Sequence, residues 1–366
     1  MRIGILTFHR AKNYGAVLQS YALVTYLKSL GHDTCIIDYY PKYFKEQDCI
    51  LPHTIMKKSN VKGKLFTLAN ILISLIPIIK RRNAFNDFIK SLPLNECIEN
   101  SSDFSSNGYD LIFVGSDQVW NKHITRGEDK LFAGNFSHPN CILASYAAST
   151  IINNADTEYY KNLINRFDYV SVREKNINEY FNSLVPKKSI CVCDPVLLLS
   201  KIQWERFAKL PHDKNYVLIY TVPEDPRIND YADKVAKLFG CKVIKLVAKV
   251  SPFRNGDCRQ SVSPSEFVGY FVNAKYIVTT SFHGTAFSVK LEKPFSTLLL
   301  GTKLDDRAVN FLNSIGMSNR LIDIKTMSVP EHEIDYVQYK QKIDEYLKKS
   351  YNYIDKIVGS NEKYYI

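Results

Sequence analysis

Several familiar signatures are missing from this 366-residue chain, and each absence removes a class of function. The eight cysteines (Cys35, Cys49, Cys97, Cys141, Cys191, Cys193, Cys241 and Cys258) contain no C-x-x-C pair, so a zinc ribbon, a thioredoxin-type centre and a disulfide framework are not indicated. Small buried thiols in a reducing compartment are expected, with Cys191 and Cys193 on one face of a strand. The loop after the first apolar run lacks G-x-G-x-x-G, which leaves the dinucleotide fingerprint unmet. Lys and Arg outnumber Asp and Glu by 48 to 37, a formal charge of +11. Yet no Lys/Arg block is long enough for a nucleic-acid tail and no aromatic-basic platform is evident, so nucleic acid is not an expected partner. The surplus favours anionic partners such as acidic lipid or phosphorylated metabolites. Internal repeats and low-complexity tracts are absent. Met1-Arg2-Ile3-Gly4-Ile5-Leu6-Thr7 reads as a strand start rather than a secretory signal, and the cytoplasm is the expected compartment.

A membrane-spanning run is also missing. The longest apolar stretch, 65–79, has fifteen residues and contains Pro77, short of the roughly 20 a spanning helix needs. A buried core helix is expected there. The competing reading is an interfacial helix over 65–82 in peripheral contact with the cytoplasmic face of the inner membrane, its flanking Lys57-Lys58 and Lys80-Arg81-Arg82 meeting acidic lipid.

What is present is a composition of 45% hydrophobic and 23% charged residues, enough apolar material for two globular cores. Ile3 to Phe8, the helical spacing of Val17, Leu18, Tyr21, Val24, Leu27 and Leu30, and Thr34 to Ile37 give the β-loop-α-β opening of a parallel doubly wound sheet. Short apolar runs recur at 111–114, 143–146, 169–172 and 190–192. A second α/β series starts at Tyr216, after a hinge expected between about Leu198 and Lys214. The expected organisation is an N-terminal Rossmann-like domain over 1–205, a C-terminal one over 206–335, and a helix over 336–366 packing back on the first.

Four segments at strand ends carry hydrogen-bonding chemistry. In the first, Asn13, Tyr14 and Gly15 precede a helix start beside Arg10 and Lys12, an arrangement suited to an anion or sugar and equally to ordinary capping. In Gly115-Ser116-Asp117-Gln118-Val119-Trp120-Asn121, the side chains of Ser116, Gln118 and Asn121 offer hydrogen bonds and Trp120 a stacking face. Asp117 there can take a proton from a sugar hydroxyl, although an Asx turn with Trp120 in the core reads equally well. Arg173 in Ser171-Val172-Arg173-Glu174 is a forked donor for carboxylate or phosphate; from pattern alone it is a structural ion pair. In Thr279-Thr280-Ser281-Phe282-His283-Gly284-Thr285-Ala286, His283 stands between a strand end and a helix start, placed for proton transfer near neutral pH. Arg307 reads, by pattern, as a solvated charge at a helix start.

Taken in order, Gly4-Ile5-Leu6-Thr7 with Asn13-Tyr14-Gly15-Ala16, Gly115 to Asn121, Ser145-Tyr146-Ala147-Ala148-Ser149, Val172-Arg173-Glu174, Asp194-Pro195 and Ser281-Phe282-His283-Gly284 resemble the polysaccharide pyruvyl transferase family. The resemblance implies two Rossmann-like domains facing across a cleft, as in glycosyltransferases of the B architecture. It implies phosphoenolpyruvate as donor substrate, no cofactor and no metal, and a cyclic ketal formed on two hydroxyls of a sugar in a surface polysaccharide or its lipid-linked precursor. Carried over residue by residue, it puts proton transfer on His283 and donor contacts on Arg173 and Arg307. The chemistry of the four segments adds Asp117 to catalysis, Ser281, Gly284 and Thr285 to the donor contacts, and Asn13, Tyr14, Gly15, Ser116, Gln118, Trp120 and Asn121 to the acceptor contacts. One departure stands out: many members place Arg two residues before the histidine, where this chain has Ser281. Arg307, Lys303, Lys290 or Arg10 would have to supply the missing cation. A nucleotide-sugar glycosyltransferase of the same architecture and a non-catalytic glycan-precursor binding protein remain the alternatives.

Overall fold

The computed structural model describes residues 1–47, 61–222, 224–251, 256–330 and 333–359. The first unit comprises β1 (Arg2–Leu6), α1 (Tyr14–Ser29), β2 (Asp33–Ile36), α2 (Lys42–Gln47), α3 (Val61–Ser91), β3 (Leu111–Val114), α4 (Lys122–Thr125), β4 (Ile142–Ser145), α5 (Thr157–Arg166), β5 (Val170–Val172), α6 (Lys175–Leu184), β6 (Ser189–Cys191) and α7 (Lys201–Phe207). The second comprises β7 (Tyr216–Thr221), α8 (Arg227–Phe239), β8 (Lys242–Val247), β9 (Cys258–Arg259), α9 (Pro264–Asn273), β10 (Tyr276–Thr279), α10 (Phe282–Lys290), β11 (Phe295–Leu299), α11 (Asp306–Ser314) and β12 (Leu321–Asp323), before α12 (Val337–Val358). Helix boundaries follow local chemistry. Ser263 caps α9 with a reciprocal bond to Glu266 and Pro264 in the first turn, and Gly240 ends α8 in the left-handed conformation that a residue without Cβ adopts freely.

The first sheet has the parallel order β2-β1-β3-β4. Single bridges from Ala144 to Tyr169 and from Ala148 to Val172 extend it to the β5–β6 pair. The second sheet is ordered β12-β11-β10-β7-β8-β9. Strands β3 and β7 are buried along their whole length, as strands covered by helices on both faces must be. Each sheet reverses its winding once, between β1 and β3 and between β7 and β10. At such a point the connections leave in opposite directions and open a crevice at the carboxyl ends. This is a Rossmann-like, glycosyltransferase-B-like architecture.

The two units share a core. One buried cluster runs from Val17 and Leu23 through Trp204, Tyr220, Phe267 and Phe287 to Ile354, while separate clusters fill the outer layer of each unit. Within the segment expected as a hinge, Lys201–Phe207 folds as α7, with Trp204 inside the shared core and its Nε1 donating to Val196 O at 2.8 Å. Helix α12 returns to the first unit, where Tyr353 Oη donates to Ser145 O at 2.8 Å and Ser350 Oγ accepts from Cys193 N at 2.7 Å.

The apolar run 65–79 lies within α3, which continues through Pro77 for 31 residues. The side chains of 65–71 lie outside the described residues. Beyond them the core-helix expectation is corrected: Leu72, Ile73 and Ile76 are 63%, 63% and 67% exposed. The inward face carries Ser74 and then Arg81, Phe85 and Ile89, the last three buried at i, i+4 and i+8. Arg81 therefore leaves the basic cluster expected at the surface. Its guanidinium donates to Tyr14 Oη at 2.9 Å, to Val247 O at 3.2 Å, to Gln260 O at 3.3 Å and to Ala248 O at 3.1 Å. These partners come from both units, so Arg81 ties them together. Among the described residues no helix is long and apolar enough to cross a membrane.

Candidate active site

The carboxyl-end rims of the two sheets meet at Gly15 and His283. Asn13 caps α1 by accepting from Gly15 N at 2.9 Å, which starts the helix under the His283 ring. A Cβ on Gly15 would stand 2.3 Å from His283 Nδ1. Glycine is required here because the imidazole already occupies the space a side chain would need. On the other rim, Ser281 caps α10 by accepting from Gly284 N at 3.4 Å, and His283 follows in the first turn.

Behind His283 lies a cage of charge. Arg173, at the end of β5, is buried and donates from Nη1 to Asp194 Oδ2 at 2.7 Å and from Nε to Glu174 Oε1 at 3.1 Å. Its Nη2 is 3.7 Å from Asp117 Oδ1, an ion-pair contact without a hydrogen bond. Burial disfavours the Arg173 charge, but Glu174, Asp194 and Asp117 outweigh it and raise its pKa. Asp194 Oδ2 also stands 3.4 Å from His283 Nε2. Burial would raise the Asp194 pKa; His283 and Arg173 reverse this and hold it well below the carboxylate range. The Phe282 ring lies 5.3 Å from the Arg173 guanidinium carbon and 6.0 Å from Phe311 on α11. Phe311 is one turn beyond Arg307, so that face of α11 looks onto the cage.

Arg307 differs from its neighbours. Among the described residues it has no carboxylate within ion-pair distance. Burial and the charge of Arg173 lower its pKa, against the longer-range pull of Glu174, Asp117 and Asp194. The buried atoms Arg173 Nη2, Glu174 Oε2 and His283 Nε2 likewise have no hydrogen-bond partner among the described residues. Two guanidiniums whose charges interact, with spare donors and beside an imidazole and two helix starts, can receive an anion and hand it a proton. Of the cations expected to replace the missing family arginine, Arg307 fits best. Arg10 is spent on both oxygens of Asp38, and Lys303 is exposed on a loop. Lys290 is two turns along α10 from His283, and burial lowers its amine to about 8.

The structure thus gathers Asp117, Arg173, His283 and Arg307. Other residues expected at the site turn inward instead. Trp120 is 2% exposed, packs on Phe167 and Phe181, and donates from Nε1 to Phe132 O at 2.8 Å, which leaves no face for a sugar. Ser116 is buried; its Oγ donates to Ala147 O and its N–H to Gln19 Oε1. Asn121 caps α4 and donates to Gln118 Oε1 at 2.6 Å. Tyr14 stacks on Phe267 at 4.3 Å and donates to Val262 O at 2.9 Å. Buried Thr285 bonds to Ser281 O and Thr297 Oγ1. Gly284 is small because a Cβ would lie 2.2 Å from Thr279 Oγ1, not to admit a ligand. In each case the polar atom closes a turn or joins a helix to a strand, a demand that strand-end sequence shares with ligand binding. Glu174 and Asp194 were read only as parts of motifs; the one available signal was Asp194-Pro195 at another strand end. Among the described residues no group of three or more His, Cys, Asp or Glu could hold a metal ion.

Residues 13–299 match the family described as polysaccharide pyruvyl transferase. The chain belongs to that family. The protein is therefore a transferase. No curated protein matches it. A solved UDP-N-acetylglucosamine 2-epimerase superposes with a TM-score of 0.50 at 11% identity, over 99% of this chain and 97% of that one. The UDP-GlcNAc 2-epimerase from Neisseria meningitidis, bound to UDP-GlcNAc, gives 0.49 at 12% identity over 98% and 100%. The wall teichoic acid polymerase TagF gives 0.46 at 11% identity over 98% and 88%. At such identities the first of these shows a common fold and nothing of the chemistry.

Proposed function

We propose that this pyruvyl transferase uses phosphoenolpyruvate, without a cofactor, to form a cyclic pyruvate ketal on two hydroxyls of one sugar, in a surface polysaccharide or its lipid-linked precursor. The observation that supports it most is Arg307, a guanidinium free of any carboxylate partner among the described residues and near enough to Arg173 for the two charges to repel. The anionic groups of the donor lie on Arg307 and Arg173. His283, as imidazolium, protonates the methylene carbon, and positive charge develops on the adjacent carbon. One sugar hydroxyl attacks there and gives up its proton. Phosphate leaves with the electrons of its C–O bond, and the second hydroxyl closes the ring. One phosphoenolpyruvate and one diol yield one ketal and one phosphate. Asp117, partly exposed at the lip, orients the acceptor hydroxyl or takes its proton.

The reaction is placed in the cytoplasm. The exposed Leu72, Ile73 and Ile76 on α3, with Lys80 exposed one turn on, support peripheral contact with the cytoplasmic leaflet, where a lipid-linked acceptor would be met. Co-sedimentation with anionic vesicles should fall in Ile73→Asp/Ile76→Asp; equal binding by that variant rejects the contact.

The central test is phosphate release from phosphoenolpyruvate against a panel of galactosides and N-acetylhexosaminides. Acceptor-dependent release that disappears in His283→Ala is expected. No release with any acceptor, and no phosphoenolpyruvate binding by calorimetry, would refute the donor and turn attention to nucleotide-sugars.

A further inference from the structure

Asp194 is placed to do more than complete the cage. It sits just beyond β6, fully buried. Its Oδ1 accepts from Val196 N at 3.0 Å, which fixes the carboxyl plane. Its Oδ2 accepts from Arg173 Nη1 at 2.7 Å and faces His283 Nε2 at 3.4 Å. Nε2 is buried and has no hydrogen-bond partner, so within the described residues this carboxylate is the acceptor it faces. The opposite edge of the ring, at Nδ1, lies against Gly15 on the rim of the first unit.

We propose that Asp194 is a positioning residue that holds the Nε2–H of His283, leaving Nδ1, beside Gly15 where the rims meet, as the nitrogen that exchanges protons with substrate. The inference rests on the pyruvyl-transfer reading and assigns its proton to an atom. A neutral imidazole carries one N–H, and an ionised carboxylate only accepts. A carboxylate at Nε2 therefore selects the Nε2–H tautomer. When Nδ1–H passes to the methylene carbon, the ring keeps Nε2–H on Asp194, and the Nδ1 lone pair is free for the proton of the attacking hydroxyl. Arg173 on the same Oδ2 keeps Asp194 ionised, so it does not take the ring proton. The 3.4 Å contact is an ion-pair distance without hydrogen-bond alignment, and catalytic hydrogen bonds are often long or poorly aligned until substrate is bound. The other charged groups around the ring are Glu174 beside Arg173, Asp117 after β3 and Arg307 on α11. Among the described residues none of these comes within ion-pair distance of Nε2, whereas Asp194 does.

The direct test uses the wild-type chain with nitrogen-15 imidazoles, in long-range proton–nitrogen spectra with His283 assigned by His283→Gln. The neutral ring should be the Nε2–H tautomer; the Nδ1–H tautomer would overturn the proposal whatever the enzyme transfers. The second test is kinetic. Asp194→Asn should lower kcat about 100-fold and move the alkaline limb of its pH profile to lower pH. Arg173→Lys should instead raise KM for phosphoenolpyruvate and leave that limb in place. A folded Asp194→Asn protein with the wild-type limb would show that Asp194 only balances Arg173 and caps a turn. If Asp194→Asn does not fold, the wild-type tautomer decides. The expected tautomer in a protein that neither binds nor turns over phosphoenolpyruvate would refute the donor and leave the Asp194–His283 pair standing.

Discussion

Gly15→Ala separates the chemistry of the site from the stability of the fold. The new Cβ would stand 2.3 Å from His283 Nδ1, 2.4 Å from Cε1 and 2.7 Å from Cγ, where non-bonded heavy atoms prefer about 3.5 Å. Ring or helix must therefore retreat by about 1 Å. The backbone does not resist the change. Gly15 lies in the first turn of a capped helix, and Ala is the better helix former by up to about 1 kcal/mol. Overpacking at one exchanged contact costs about 1–3 kcal/mol. The two effects oppose each other, so Tm should move by only a few degrees. Turnover should not be spared, because a displacement of about 1 Å at a reacting group can cost about 100-fold. Thermal unfolding followed by circular dichroism gives the first quantity, and acceptor-dependent phosphate release the second. Gly269→Ala is the control. Its Cβ would lie 2.0 Å from the backbone oxygen of Lys209, against the segment after α7 and not against His283, so it should lose stability and keep the kcat of whatever remains folded. If Gly15→Ala keeps turnover within about threefold of wild type, the imidazole does not act from where it lies.

The two arginines of the cage should respond in opposite ways. Arg173→Ala strands three carboxylates and should cost about 3–5 kcal/mol in urea unfolding. Arg307→Ala removes a cation that pairs with none of the described carboxylates, so stability should hold while calorimetric affinity for phosphoenolpyruvate falls tenfold or more; equal destabilisation by both would contradict the division. Arg81→Met leaves the Tyr14 hydroxyl and three backbone carbonyls short of a donor and should lower stability by about 2–4 kcal/mol, with no loss in a folded protein refuting the tie between units. Acid should destabilise progressively. Burial would raise the pKa values of Asp38 and Asp194, but His9 and Arg10 in the first case, and His283 and Arg173 in the second, depress both. The unfolded chain protonates at the ordinary value of about 4, so this stabilisation is complete above that range and is lost as pH falls through it towards the folded values. The urea midpoint should drop steadily below about pH 5, and Asp38→Asn should flatten the slope; an unchanged slope would refute the assignment.

Local order was written in the sequence. Strand β3 falls on the apolar run 111–114 and strand β4 overlaps the run 143–146, because a short β-rich run between turn residues has few other ways to bury itself. The capping box at Ser263 and Glu266 set a helix start, and the ordered motifs identified the family. His283 and Arg173 were legible as strand-end residues, whereas Arg307 reads by pattern as a solvated charge at a helix start. What one chain of letters cannot carry is which side of a turn faces the cleft. Trp120, Ser116 and Thr285 have the composition of a sugar or anion site, yet they bond inward, because a buried turn needs the same donors and acceptors as a ligand. The pairing of Asp194 with His283, 89 positions apart in the sequence, arises only when the carboxyl ends of strands from the two units are packed against each other. Arg81 is the plainest case. Its neighbours in sequence are basic and suggest a surface, but α3 rotates it under Tyr14, where four oxygens from two units meet its guanidinium. A buried charge is stable only where its hydrogen bonds are met, and whether such a place exists is decided by the tertiary packing.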